Sequence, residues 1–500
     1  MPDRLRLILG VKLRALRHER GLGLKELAGR AGLSVSYLSE IEKGKKYPKP
    51  DKLVDLAHAL GVAYDDLVSL RVDKGLGAVK SAIESPLLRS FPFELFGVDP
   101  EALVALLAGA DDKADALVRA VTDVTRAYDA RVEDFLLAAL RAYQQIHGNT
   151  FPELEAVADG LRAETGAAET GAADADAFRG ALVARGYAVD TDRLLADPAL
   201  STFRQALGTG GDGRPVLYVN GALRPAQLAF LYARELAFLT LDAQHRPRAS
   251  PWVRVERFEE VLDNYRASYV AGAALLPAGE VDAAIEALAD SDAWDPAAFR
   301  ALLAQFEATP EMLFHRLTQR VPGALGLDEV YLLRFHHHVA AGRVGLTKAF
   351  NLSRVPVPHG VEADEHYCRR WPSLQALAEL DRRQARAAGR GETDDGPVVV
   401  AQRQRFVGDE ADGAEFFVVA VARPLALRPG VNSAVSLGLL TTGETRRRVR
   451  FWDDPALARV DVGLTCERCP ISDCRVRAAP PTVLRERGTR DERQAALDAL

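Results

Sequence analysis

The chain has 500 residues, 48% of them hydrophobic and 27% charged, with a formal net charge of −6. That is more chain than one core usually holds, so roughly two to four domains are expected. No apolar run approaches the ~20 residues that span a bilayer, and no leader-like apolar segment with a small-residue cleavage site opens the sequence. No bilayer-spanning run and no signal peptide are visible, so a cytoplasmic location is the default expectation. The charge is uneven: residues 1–80 carry 16 Lys and Arg against 10 Asp and Glu, and the rest of the chain is acidic. A basic end on an acidic protein suits contact with a polyanion at that end alone.

Residues 4–20 place Leu5, Ile8, Leu9, Leu13 and Leu16 at helical spacing. Gly21-Leu22-Gly23 breaks the run, and a short helix from Leu24 ends at Gly32. Ser34 is placed to cap the next helix, Val35–Gly44. Val35, Leu38 and Ile41 are expected to face inward. Ser34, Ser36, Tyr37 and Ser39 are then left at the N-terminal end that enters a major groove. Lys43, Lys45, Lys46 and Lys49 follow and suit phosphate contacts. Two more helices, Asp51–Leu60 and Ala63–Leu70, close the bundle.

The segments LKELAGRAGLSVSYLSEIEKG and P…LVDLAHALGV make residues 5–70 resemble the lambda-repressor-like, XRE-type helix-turn-helix family. The resemblance implies an all-α DNA-binding domain over residues 1–72, double-stranded DNA as partner, and a homodimer on paired half-sites. Lys25 stands where many members carry Gln, and a phosphate contact is the expected substitute. The competing reading is a helical bundle used for protein contacts.

Residues 73–162 read as a helical connecting or dimerisation region, with FPFELFGVDP (91–100) as an apolar turn. The repeat AETGAAETGAA at 163–173 reads as a linker. An α+β pattern follows over residues 174–330: a helix at Phe178–Gly186, a strand at Pro215–Val219, a strongly apolar helix at 225–241, and a second helix from Arg257 to Leu276. This run resembles the IrrE-like zinc metallopeptidase domain, whose first helix carries His-Glu-x-x-His with Glu as general base. Here the matching residues are Arg234-Glu235-Leu236-Ala237-Phe238, and the third-ligand position falls near Asn264. Arg and Phe do not ligate zinc, so the resemblance implies a degenerate zincin-like fold without enzyme activity. Phe230, Arg234, Phe238, Tyr265 and Tyr269 are the residues expected to line a ligand pocket there; plain core packing is the alternative. The run His336-His337-His338 reads as a turn.

Residues 331–500 read as β-rich, with strands at Val398–Ala401, Phe416–Ala422, Val435–Leu440 and Arg448–Phe451. Of the four cysteines, Cys466, Cys469 and Cys474 fall within nine residues, and Cys368 lies far upstream. Clustered thiols in a large cytosolic protein suggest a metal site more than disulfides. Four thiolates satisfy a tetrahedral zinc or a cubane iron–sulfur cluster. His366 is a neighbouring alternative ligand, and Arg369, Arg370, Arg468 and Arg475 could offset thiolate charge.

The order of these parts, ending in a CxxCPxxxCxxRAAPP segment, resembles the short-chain fatty-acyl-responsive regulators. The resemblance implies an acyl-CoA-type effector and a [4Fe–4S] cluster on Cys466, Cys469 and Cys474, with Cys368 as the fourth ligand. The expected function is a ligand- and redox-sensing transcriptional regulator. Its alternatives are the same regulator with a structural zinc and no redox role, or a stress-activated metallopeptidase acting on a repressor.

Overall fold

A computed structural model describes residues 6, 9–10, 12–14, 16–17, 20–42, 45–68, 132–166, 175–250, 255, 257–353, 355, 365–408 and 413–500. The chain divides into two compact units, residues 1–143 with 255–261 and residues 144–254 with 262–500.

In the first unit the described residues between 6 and 17 are helical. Then come α1 (Leu24–Arg30), α2 (Val35–Glu42), α3 (Pro50–Leu60) and α4 (Tyr64–Val68). Leu13, Leu27, Leu38, Ile41, Leu56 and Leu60 fuse into one apolar core. Arg17 spans that core: its Nε and Nη2 donate to the two carboxylate oxygens of Glu42 at 2.7 and 2.9 Å, and its Nη1 donates to the Leu22 carbonyl. Val35 departs from the expected inward face and is 42% exposed. It is the first residue of α2, and the turn it shares with Ser34 and Ser36 projects into solvent. The expected helix at 73–162 and the turn at 91–100 lie outside the described residues up to 131. From there α5 (Val132–Ile146) is helical, as is α6 (Pro152–Thr165), which belongs to the second unit.

In the second unit a four-stranded sheet has the order β1-β3-β2-β4, with β1 (Ala188–Asp190), β2 (Gln205–Thr209), β3 (Pro215–Val219) and β4 (Ala249–Ser250). β1 runs parallel to β3, and the other pairs are antiparallel. Of these strands, spacing had indicated only β3; β1 and β4 are too short to display an alternation, and β2, QALGT, carries neither a β-branched run nor an aromatic. Helices α7 (Ala175–Ala184), α8 (Arg193–Ala196) and α9 (Pro225–Thr240) accompany the sheet, and α7 packs on α9. α10 (Phe258–Leu275), α11 (Ala278–Ala289), α12 (Pro296–Gln305) and α13 (Pro310–Leu325) follow.

A six-stranded sheet has the order β10-β7-β8-β9-β5-β6. Its strands are β5 (Val330–His338), β6 (Arg343–Asn351), β7 (Val398–Phe406), β8 (Glu415–Pro424), β9 (Val431–Leu440) and β10 (Arg459–Val462). All neighbours are antiparallel except β10 and β7. β8 and β9 are buried along nearly their whole length, which requires cover on both faces. α14 (Pro372–Ala388) lies on β7, β8, β9 and β5, while α12 and α13 contact β7, β9 and β5. Successive residues on β8 face opposite ways. Phe416 meets Tyr331 and Phe406, whereas Phe417 meets Trp294 and Phe451. Gly438 pairs with Tyr331 across β9 and β5. A Cβ there would collide with the Tyr331 ring, so only glycine lets the ring lie on the strand.

Two expectations are corrected here. His336–His338 are not a turn but the end of β5, hydrogen-bonded between β6 and β9. Arg448–Phe451 is not a strand: α15 (Gly443–Arg448) and a 3₁₀ turn at Arg450–Asp453 occupy it, started by the Thr442 hydroxyl accepting from the Thr445 N–H. The chain ends in α16 (Thr482–Asp498). Among the described residues no helix is long and apolar enough to cross a membrane.

Candidate functional site

The helix-turn-helix face is built by short-range contacts. Ser34 Oγ accepts a hydrogen bond from the Tyr37 N–H at 3.1 Å, which satisfies a donor that the first turn of α2 leaves open. Ser36 is exposed, and Tyr37 and Ser39 are half-buried. Tyr37 packs against the core of the bundle. Lys25, Lys45, Lys46 and Lys49 are exposed; Lys43 lies outside the described residues. Lys46 is not a free cation. Its Nζ sits 2.8 Å from Glu40 and 5.8 Å from the Tyr37 ring centroid, and Glu40 holds its ammonium above the ordinary lysine range.

On α9, Phe230 is half-buried, while Arg234, Glu235 and Phe238 are buried. Glu235 Oε1 accepts from Tyr187 OH at 3.1 Å and from Arg246 Nη1 at 2.9 Å. Burial pushes its carboxyl above the usual range, against the pull of Arg246 and Tyr187. Tyr187 and Arg246 carry no motif, and spacing could not have found them. Arg234 lies over the Phe230 ring, 5.9 Å from its centroid, and its Nε and Nη2 are buried without a hydrogen-bond partner. Burial lowers its guanidinium to about 10.

Tyr265 and Tyr269, on α10, form an edge-on group with Phe151, with ring centroids 5.6 to 6.2 Å apart. Tyr265 OH donates to Asn149 Oδ1 at 2.8 Å and Tyr269 OH to Glu155 Oε1 at 2.7 Å. Arg316 grips both oxygens of Glu155 at 2.7 and 2.8 Å. Of the residues expected to line a pocket, three therefore stand on α9 and two in this hydroxyl-tethered group. Asn264 Oδ1 is buried and without a partner.

The cysteines are gathered by tertiary structure. An isolated antiparallel bridge pairs Tyr367 with Thr465. The Cys368 N–H donates to the Leu464 carbonyl at 3.2 Å, and the Cys466 N–H to the His366 carbonyl at 2.8 Å. The bridge sets Cys368 beside the Cys466–Cys474 loop, within electrostatic reach of Cys466 and Cys469. Cys469 in turn reaches Cys466 and Cys474. Cys368, Cys466 and Cys469 are buried and Cys474 is half-buried, all as free thiols.

Backbone N–H groups point at three of the sulfurs. Ala478 donates to Cys466 Sγ at 3.3 Å, Arg370 and Gly463 donate to Cys368, and Ile471 donates to Cys469. Burial nonetheless pushes the Cys368 thiol up to about 11 and raises that of Cys469. A Cβ on Gly463 would stand 3.0 Å from both Cβ and Sγ of Cys469, so this close approach needs glycine. Trp371 Nε1 donates to the Gly463 carbonyl at 2.9 Å and anchors it.

The arginine that braces the loop is Arg477. Its guanidinium donates to the carbonyls of Cys466 at 2.7 Å, Cys469 at 3.2 Å, and Ile471. Arg468, expected to offset thiolate charge, instead forms a two-pronged pair with Glu365. His366 directs its Nδ1 to Glu467 at 2.8 Å. Arg475 is exposed, and Arg369 and Arg370 are half-buried. Among the described residues, no three His, Cys, Asp or Glu side chains are drawn together tightly enough to hold a single metal ion.

Comparison with known proteins finds a family at the N-terminus. Residues 8–70 match the family described as a helix-turn-helix domain. The HTH-type transcriptional regulator DdrOP3 of Deinococcus deserti is 47% identical over 57 residues, which are 11% of this chain and 44% of that protein. An uncharacterized HTH-type transcriptional regulator, y4dJ of Sinorhizobium fredii, is 40% identical over 65 residues, 13% of this chain and 84% of that one. The match thus spans less than half of the first relative and most of the second. Among solved structures, a Mycobacterium tuberculosis transcriptional regulator aligns over 68% of this chain and 92% of its own, at 23% identity and a TM-score of 0.45.

Proposed function

We propose that this chain, which belongs to the HTH-type transcriptional regulators, binds operator DNA as a homodimer through α2. Its second unit then acts as a sensor, holding a [4Fe–4S] cluster on Cys368, Cys466, Cys469 and Cys474 and taking an acyl-CoA-type effector. The observation that carries the cluster is the Tyr367–Thr465 bridge, which sets a distant cysteine beside a three-cysteine loop.

The surroundings of the sulfurs support it. A backbone N–H bonds a thiolate more strongly than a thiol, and three of the four sulfurs receive one or two such donors. Burial opposes the thiolate form of Cys368 and Cys469. Loading the site therefore releases protons, and affinity rises with pH. Arg477 holds the loop carbonyls, and Trp371 holds Gly463, so the sulfurs keep their directions. A zinc ion gathers four thiolates on one centre, whereas a cubane gives each cysteine its own iron. When bound, the cluster supplies a redox-sensitive centre.

A peptidase is disfavoured. Arg234 and Phe238 hold the positions zinc-binding histidines would need, and the Glu235 oxygen that a water would approach is taken by Arg246 and Tyr187. Any effector must bind one arrangement of the dimer better than the other, or no switch results.

Anaerobic purification with iron, sulfide and zinc analysis and a visible spectrum tests the cluster. A brown, air-sensitive protein with about four irons and four sulfides per chain is expected. A colourless chain holding one zinc would replace the cluster by a structural clip.

A further inference from the structure

The strap that carries Cys368 needs a holder of its own. Residues 365–368 meet the cysteine loop through one isolated bridge, Tyr367 with Thr465. That bridge brings two backbone hydrogen bonds, from the Cys368 N–H to the Leu464 carbonyl and from the Cys466 N–H to the His366 carbonyl. A backbone hydrogen bond returns little net free energy in water, while ordering each residue costs entropy. So short a pairing is marginal by itself.

Two carboxylates cross the bridge in opposite directions. From the strap, Glu365 reaches the loop. Its Oε2 accepts from Arg468 Nε at 2.9 Å and from Thr465 Oγ1 at 2.7 Å, and its Oε1 accepts from Arg468 Nη2 at 2.5 Å. From the loop, Glu467 reaches the strap. Its Oε2 accepts from the His366 N–H at 2.9 Å, and its Oε1 faces His366 Nδ1 at 2.8 Å. The side chains of Glu365 and Glu467 are only 5% and 7% exposed, so solvent screens these contacts poorly. Glu467 also ties in the terminal helix, its carbonyl accepting from the Leu484 N–H at 3.1 Å.

For holding thiolates by charge alone, these are the wrong residues. A carboxylate next to Cys466 opposes thiolate formation, and Arg468, between Cys466 and Cys469, is turned to Glu365 instead. Both oxygens of each carboxylate are already engaged, so neither is free to act as a ligand. Their common effect is to join strap to loop.

We propose that Glu365 and Glu467 are positioning residues that together hold Cys368 beside the Cys466–Cys474 loop in the metal-free chain, so that the fourth thiol is in place before any metal arrives. The inference rests on reading the four cysteines as one site and gives that site a preformed frame.

The test uses the full chain, freed of metal, with iodoacetamide as probe and mass spectrometry to follow each cysteine. In the wild type the half-buried Cys474 is expected to label first and the buried Cys368 slowly. Glu365→Gln removes the charge and keeps the size. It should speed Cys368 labelling at least about tenfold, the worth of one charge-assisted contact, while Cys469 keeps its rate. Unchanged labelling of Cys368 overturns the proposal, and so does an equal acceleration at Cys469, which would mean general loosening. Arg468→Gln should act like Glu365→Gln, and the double variant should label no faster than the faster single, because all three break one pair. Effects that multiply overturn the pairing. Should Glu365→Gln fail to fold, Arg468→Gln decides in the same way. Glu467→Gln is expected to give a several-fold rise at Cys368, and no rise removes Glu467 from the frame. Iron uptake is measured separately on the same proteins. A wild type that takes up no iron but shields Cys368 in a Glu365-dependent way removes the cluster reading and leaves the frame standing. A wild type that loads iron while Glu365→Gln leaves Cys368 shielded does the reverse.

Discussion

The helix-turn-helix domain and the cysteine site are assembled in opposite ways. The first is closed by neighbours in sequence. Ser34 caps the helix three residues before Tyr37, and the ion pair across the core, Arg17 with Glu42, joins positions 25 apart. The second is made by segments about a hundred residues distant: Glu365 with Arg468 at a separation of 103, and His366 with Glu467 at 101. A domain of local contacts can form early and alone, whereas non-local pairing forms only once its framework stands. The first should therefore tolerate loss of the second, and the second should depend on residues that touch no sulfur.

The largest effects test that independence. Arg17→Ala leaves Glu42 charged and buried, and should cost about 3–5 kcal/mol. DNA binding is expected to vanish while iron content stays the same; loss of both would show that the two regions fold as one. Glu155→Gln strips buried Arg316 of its carboxylate partner, leaving it the Leu276 carbonyl and Gln319, and is expected to cost a similar amount in the second unit alone. Its pH dependence has a defined sign. Burial pushes the Glu155 carboxyl up, but Arg316, Tyr269 and Arg320 outweigh it and hold it below the usual 4.5. Its contribution is thus complete above pH 4.5 and is lost as pH falls through the lower folded value. The acid-side fall in melting temperature should be shallower in the variant than in the wild type.

A smaller change probes the remote control of the thiols. Gly463→Ala puts a methyl group 3.0 Å from Cys469 Sγ and should cost about 1–3 kcal/mol. Metal content is expected to fall while the far-ultraviolet circular dichroism is retained; full loading would mean that Gly463 does not set the position of Cys469. Ser34→Ala should cost the first unit ~1 kcal/mol, seen as a lower melting temperature with iron untouched. The smallest stability effect belongs to Lys45→Ala, within a few tenths of a kcal/mol for an exposed side chain. Its effect should appear in the salt dependence of DNA binding, as a slope lower by about one. An unchanged slope would move the phosphate contact elsewhere.

The sequence by itself determined the helical bundle at the N-terminus, the Ser34 cap, strand β3, helix α9 and the close spacing of three cysteines. Each is written in a pattern of a few consecutive residues, where helical period, capping chemistry and thiol spacing act directly. Tertiary structure alone decided the rest. It placed Cys368 at the loop through a single β-bridge, drew Arg468 away to Glu365, and put Arg477 in its place. It turned three consecutive histidines into the end of a strand because two neighbours supplied hydrogen bonds. It also brought Arg334 of β5 and Lys348 of β6 to Glu311 of α13. Hydrogen bonds and charges act through space, and residues a hundred positions apart carry no local mark of the partner that the sheet will bring to them.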